Sequence, residues 1–186
     1  RIKELDIEII CPSHGPMLRS YPWKAVKLYE EWSDAQRKRV PSAAIFYASA
    51  YGNTRLMAEA IAEGASKHVQ TAVFDAGRAD AAVMRSALES STGICIGSCT
   101  INGDALAPIW SLMSLFALVN RKGKTAAAFG SFGWSGEAVG MIQERLKGLR
   151  IPVVESGLKF CFVPTEAELA KCRAFGEEFA QGLASK

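Results

Sequence analysis

"AAIFYASAYGNTRLMAEAIAEG", residues Ala43–Gly64, is the stretch on which the reading of this chain turns. It opens on an apolar run without a charge, Ala43–Ala48, the pattern of a strand buried on both faces. It closes on a run of helix formers, Arg55–Gly64. Between them stand Ser49, Ala50, Tyr51, Gly52, Asn53 and Thr54, which supply hydroxyls, an amide and a glycine, and no charge. A strand that passes into a helix through a short polar turn is the start of a β–α–β alternation.

The rest of the chain continues that alternation. Further strand-like runs are "QTAVFD" (70–75), "GICIG" (93–97), "TAAAFG" (125–130) and "IPVVE" (151–155). Helical patterns lie between and after them, at 54–67, 80–90, 107–120, 136–148 and 165–184. The third, "APIWSLMSLFALVN", is apolar nearly all round and reads as well buried. Five strands alternating with five helices predict an α/β domain, a parallel sheet covered on both faces. Right-handed crossovers and the length of the chain favour strand order 2-1-3-4-5. "SGLKFCFVP" (156–164) is an apolar extension after the fifth strand, the pattern of a split strand.

The residues before this domain read as a separate piece, 1–36, joined by a linker over 37–42 to the main domain, 43–186. "IEIIC" (Ile7–Cys11) predicts a short strand, followed by the loop "PSHGP". "PWKAVKLYEEWSDAQRK" has helical spacing, with Trp23, Val26, Leu28, Tyr29 and Trp32 largely on one side. One strand and one helix cannot bury a core alone, so this piece needs a partner. The chain begins at Arg1 and reads at once like the interior of a protein, which predicts a fragment of a longer polypeptide.

Composition narrows the function classes. With 49% hydrophobic and 22% charged residues, the 186-residue chain reads as a soluble globular protein. Its net charge of +3 is too small to point to nucleic acid. No apolar run is long enough for a transmembrane helix, and Arg1–Glu8 lacks the apolar stretch of a signal peptide, so none is expected there. The cysteines at 11, 95, 99, 161 and 172 form no C-x-x-C pair, and their odd number suits a reducing, cytoplasmic compartment.

In an open parallel sheet, ligands bind beyond the carboxyl ends of the strands, at the switch in strand order. Three loops meet there: 49–54, 98–108 and 131–138, all rich in hydroxyls, amides and glycine. The first opens a helix, whose unpaired N–H groups and dipole favour an anion without any cation. Ser49, Asn53 and Thr54 add donors, and Gly52 allows close backbone approach. An ordinary N-capped turn uses the same residue types. Trp134 has two readings, a ring for stacking or a side chain folded onto the core. Tyr51 lies against the same ligand or merely covers the sheet edge. Asn102-Gly103 marks a turn, in which glycine also lets a peptide reorient beside a redox ring. Phosphate at one loop and flat-ring contacts at the others describe a mononucleotide with an aromatic head. G-x-G-x-x-G and G-x-x-x-x-G-K-[ST] are both absent, which disfavours NAD and phosphate-loop nucleotides.

"SAYGNT" is similar to the FMN-phosphate loop of flavodoxins. "GSCTINGDALAPIW" and "GSFGWSGEA" resemble, more specifically, the flavodoxin domain of flavodiiron proteins, or A-type flavoproteins. "ICPSHGPMLR" followed by "YEEWS" is similar to the end of that family's metallo-β-lactamase-like domain, which carries the diiron centre. The resemblance implies a flavodoxin-like three-layer sandwich with FMN as cofactor. Ser49, Tyr51, Gly52, Asn53 and Thr54 would hold the phosphate. Ser98, Cys99, Thr100, Ile101, Asn102 and Gly103, with Ser131, Phe132, Gly133, Trp134, Ser135 and Gly136, would surround the isoalloxazine. His14 matches the last iron-binding histidine, in the full-length protein only, because the H-x-E-x-D-H run of the other ligands is absent here. Cys99 departs from the family, where a proline or other non-thiol residue is expected.

The implied function is an electron-transfer domain of a flavodiiron oxygen or nitric oxide reductase. Electrons would come from rubredoxin, a flavin reductase or an NAD(P)H-linked domain and reach a diiron site outside this chain. A head-to-tail homodimer is implied for the full-length protein, and neither nucleic acid nor membrane is expected as a partner. The alternatives are a free-standing flavodoxin carrier, an NAD(P)H:quinone oxidoreductase on the same fold, and a flavin-free scaffold. The charge of +3 and the extra N-terminal piece both count against the acidic free-standing carrier.

Overall fold

In the larger of two compact units, Val40–Lys186, uninterrupted apolar runs become the central strands of a sheet. A computed structural model describes residues 4–37 and 40–185, so residues 38–39 of the expected linker lie outside the described residues. The strands are β1 (Ser42–Ala48), β2 (Gln70–Asp75), β3 (Gly93–Ile101), β4 (Asp104–Ala105), β5 (Thr125–Phe132) and β6 (Leu158–Cys161). They run in the order β2-β1-β3-β5-β6, all parallel, while β4 pairs antiparallel with the end of β3 alone. Without β4 this is the expected 2-1-3-4-5 order.

Strand alternation sorts the core into two layers. Ala44, Phe46, Ile94, Ile96, Ala126 and Ala128 face one side, and Ala43, Ile45, Cys95, Ala127 and Phe129 face the other. The first side is covered by α3 (Ala81–Ser90), α4 (Ala107–Ser114) and α5 (Glu137–Gly148). The second is covered by α2 (Asn53–Ala65) and α6 (Glu166–Ala184). Among the described residues no helix is long and apolar enough to cross a membrane.

Two expectations for this unit change. "IPVVE" is not a regular strand: it makes one parallel bridge, Ala126 with Val153, and regular pairing resumes at Leu158–Cys161. Pro152 can accept from Ala126 N (2.8 Å) but has no N–H to donate. A tight turn from Glu155 to Gly157 (2.8 Å) then shifts the register by two residues, which keeps the same side chains on each face. The helix expected over 107–120 is regular only to Ser114 and tightens into a 3-10 turn, Leu115–Leu118. That turn drives Phe116 into the core while leaving Leu118 in solvent.

The smaller unit, Arg1–Arg39, holds α1 (Pro22–Arg37). The expected strand Ile7–Cys11 is reduced to one antiparallel bridge between Ile10 and Leu18 (3.1 and 2.9 Å). Pro12 and Pro16 follow and precede it, and neither has an N–H with which to extend a ladder. The aromatic side of α1 is not buried: Trp23, Tyr29 and Trp32 are all exposed, and Tyr29 meets Trp32 edge-on at 5.3 Å.

The α2–α6 contact depends on the absence of two side chains. A Cβ on Gly64 would overlap the Arg173 carbonyl, and one on Gly176 would overlap the Ile61 carbonyl. Backbone cannot yield as a flexible side chain can, so Gly64→Ala or Gly176→Ala should each cost about 1–3 kcal/mol or more, read as a lower urea midpoint. At the start of α6, Thr165 and Glu168 form a reciprocal capping box. The backbone N–H of Thr165, and then its hydroxyl, hold the Glu168 carboxyl below the ordinary 4.5. A lowered folded value means this contribution is present above 4.5 and is lost as pH falls through the folded value. Urea melts of wild type and Glu168→Gln should therefore differ most at neutral pH and converge on acidification.

Candidate functional site

Parallel pairing brings the ends of β1, β3 and β5 to one edge. After β1 the chain turns through Gly52, which takes a left-handed conformation (φ 87°) and begins α2. No side chain caps that helix, and no acidic residue sits in its first turn. Ser49 Oγ is buried beside it and has no hydrogen-bond partner among the described residues. Thr54 is fully buried, its Oγ1 2.8 Å from Ser131 Oγ, so a hydroxyl pair ties α2 to β5.

The second loop is a β-hairpin rather than a simple bend. Asn102 (φ 54°) and Gly103 (φ 72°) both carry positive φ, the requirement of a two-residue type I′ turn. The Asp104 carboxylate accepts from Ala105 N at 2.6 Å and from Trp110 Nε1 at 3.0 Å, pinning the hairpin to α4. Ser98 Oγ accepts from Leu106 N (2.9 Å) and donates to the Cys99 carbonyl (2.8 Å), and the residue is buried. Thr100 Oγ1 accepts from Ala138 N at 3.3 Å, which gives the start of α5 a cap from the neighbouring strand.

The third loop puts Trp134 into solvent at 92% exposure, so its indole is not folded onto the core. Tyr51, at 87%, is equally bare. Both line a cleft of about 330 Å³ with Asn53, Cys99, Thr100, Ile101, Asn102, Ser131, Phe132, Gly133 and Phe162. Ser49, Gly52 and Thr54 sit at the α2 start and do not line the cleft; Ser98, Gly103, Ser135 and Gly136 also lie outside its lining.

The flavodoxin family profile matches residues 45–176. The chain belongs to the flavodoxin family. This flavodoxin domain and the residues before it are together similar to longer proteins. It is 39% identical to a type A flavoprotein of Rhodobacter capsulatus over all of this chain and 44% of the relative. It is 38% identical to a flavo-diiron protein of Clostridium acetobutylicum over 96% of this chain and 46% of the relative. Rubredoxin oxygen:oxidoreductase from Desulfovibrio gigas superposes with a TM-score of 0.79 at 25% identity, over 96% of this chain and 45% of that one. The chain thus spans less than half the length of the curated relatives it matches.

Flavodoxin domains bind FMN, and the geometry fits that group. An uncapped helix start and the orphaned Ser49 hydroxyl suit a phosphate dianion. Exposed rings around the cleft suit a flat head group. An iron site does not fit in the same way. Among the described residues no three His, Cys, Asp or Glu side chains come together to hold a metal ion. His14 stands exposed in the smaller unit, beside a largely apolar hollow of about 1000 Å³.

Sequence reasoning missed Phe162, which lines the cleft from a fourth loop. The signal was available in "KFCFVP": a parallel strand there must end at the same edge as the others, carrying its next aromatic residue with it.

The Ser49 hydroxyl separates a binding role from a folding role. Ser49→Ala should leave the ligand-free domain as stable as wild type or up to about 1 kcal/mol more stable, because an unsatisfied buried group is removed. The same variant should bind FMN at least about tenfold more weakly, since hydrogen bonds to charged groups are worth about 1.5–3 kcal/mol. Urea melts and FMN titration check the two halves separately.

Proposed function

We propose that this chain is the FMN-bearing electron-transfer module of a flavodiiron-type oxidoreductase. The observation that carries the reading is the buried, partnerless Ser49 hydroxyl at an uncapped helix start, beside a cleft edged by exposed Tyr51 and Trp134. In this reading Ser49, Gly52, Asn53 and Thr54 hold the phosphate by uncharged donors, with Tyr51 over the same loop. Cys99, Thr100, Ile101, Asn102, Ser131, Phe132, Gly133 and Trp134 receive the ring. Ser98, Gly103, Ser135 and Gly136 support them by holding the loops in shape. Bound FMN supplies the exchange between two-electron donors and one-electron acceptors.

The relatives' names carry the reading to the full-length protein. A donor such as rubredoxin, a flavin reductase or an NAD(P)H-linked domain would deliver electrons, and the acceptor lies in the remainder of the polypeptide. There a diiron centre would reduce oxygen or nitric oxide, with His14 as the only ligand proposed from this chain. A head-to-tail homodimer, which sets one subunit's cofactor against the other's metal, belongs to the same proposal. So does a cytoplasmic location, consistent with five free cysteines.

The test is an absorbance titration of the purified chain with FMN. One-to-one uptake, with the shifted spectrum of a bound oxidised flavin, is expected. No uptake of added FMN would overturn the reading. Rapid turnover of NAD(P)H with a quinone by this chain alone would instead favour the quinone oxidoreductase.

A further inference from the structure

Phe162 occupies a backbone conformation that its side chain disfavours. Its φ of 58° lies in the left-handed region, where a bulky residue without asparagine's local hydrogen bonding is an outlier. The position is held by Phe162 N donating to the Phe132 carbonyl at 2.7 Å, the last rung where β6 leaves β5. From there the ring passes over Gly133, where an added Cβ would meet it at 3.2 Å, and reaches Trp134. The two rings meet edge to face, centroids 6.4 Å apart at 67°. Core burial does not account for the strain, because Phe162 remains 59% exposed. A glycine would relax the backbone, so the ring must earn its place by what it touches. What it touches is Trp134, whose indole has almost no other cover, and the cleft that both residues line.

We infer that Phe162 is a positioning residue of the cofactor cleft: it buttresses Trp134 from the loop after β6 and closes the outer wall against which a flat flavin head rests. The inference rests on the FMN reading above. It adds a fourth loop to the three that sequence patterns indicate. It also assigns Gly133 a purpose, since its missing side chain leaves the space through which the Phe162 ring reaches the indole.

The experiment uses the whole chain, labelled with fluorotryptophan and read by fluorine NMR, the Trp134 signal being assigned with Trp134→Phe. In the FMN-free state Phe162→Gly should move and narrow the Trp134 resonance toward that of a free indole, while Phe162→Tyr should keep it near the wild-type position. Thermal melting of Phe162→Gly should be equal to or above wild type, since the left-handed backbone suits glycine. FMN titration should then show Phe162→Gly binding roughly fivefold to tenfold more weakly, the size of an aromatic pair interaction. Phe162→Tyr should bind within about twofold of wild type. A Phe162→Gly chain with unchanged Trp134 resonance and unchanged FMN affinity overturns the inference alone. A wild-type chain that takes up no FMN overturns the inference and the reading beneath it together. A Phe162→Gly chain that melts well below wild type also overturns it, because the ring would then serve the fold.

Discussion

Parallel pairing of β1, β3 and β5 forces their carboxyl ends to a single edge, and everything assigned to this domain follows from that constraint. Each strand must be followed by a connection that leaves the same edge and returns by a helix on one face. The loops after these strands therefore converge, although Ser49, Ser98 and Ser131, which open them, lie 33 to 82 residues apart in sequence. The 2.8 Å contact between Thr54 and Ser131 is the direct sign of it, a buried hydroxyl pair across the ends of two elements.

Polar groups at that edge divide into those the fold uses and those it leaves over. Ser98, Thr100 and Asp104 all have backbone or indole partners that hold the second loop in place. Among the described residues Ser49 has none, and no side chain caps the start of α2. A buried polar atom left unmatched is costly in the free protein and becomes favourable when an anion arrives. The exposed rings of Tyr51, Trp134 and Phe162 follow the same logic in apolar form: surface that gains little from folding and gains more from a flat partner.

Much of this was legible in the sequence, for a physical reason particular to each element. β1, β3 and β5 are buried on both faces, so their runs are uniformly apolar and stand out from the helices around them. The edge strand β2 lies where its apolar run predicts, at Gln70–Asp75, and only the other edge was harder to read. β6 carries alternating burial over only four residues, and Pro152 and the turn at Gly157 break the run that precedes it. The apolar "IPVVE" therefore looked more like a strand than the stretch that became one. In the smaller unit, local hydrophobicity suggested a strand where two prolines permit a single bridge.

The sequence by itself determined the alternation of elements, the strand order and the chemistry of the three polar loops. Those depend on short-range patterns: apolar periodicity, helix-start residues and the need to cover both faces of a parallel sheet. Only the tertiary structure decided which hydroxyls are already used and which is left without a partner. It also decided that Trp134 stands in solvent and that Phe162 stands against it. Hydrogen-bond satisfaction and ring contact are properties of groups that meet across the sheet edge, and no window along the chain contains both members of such a pair.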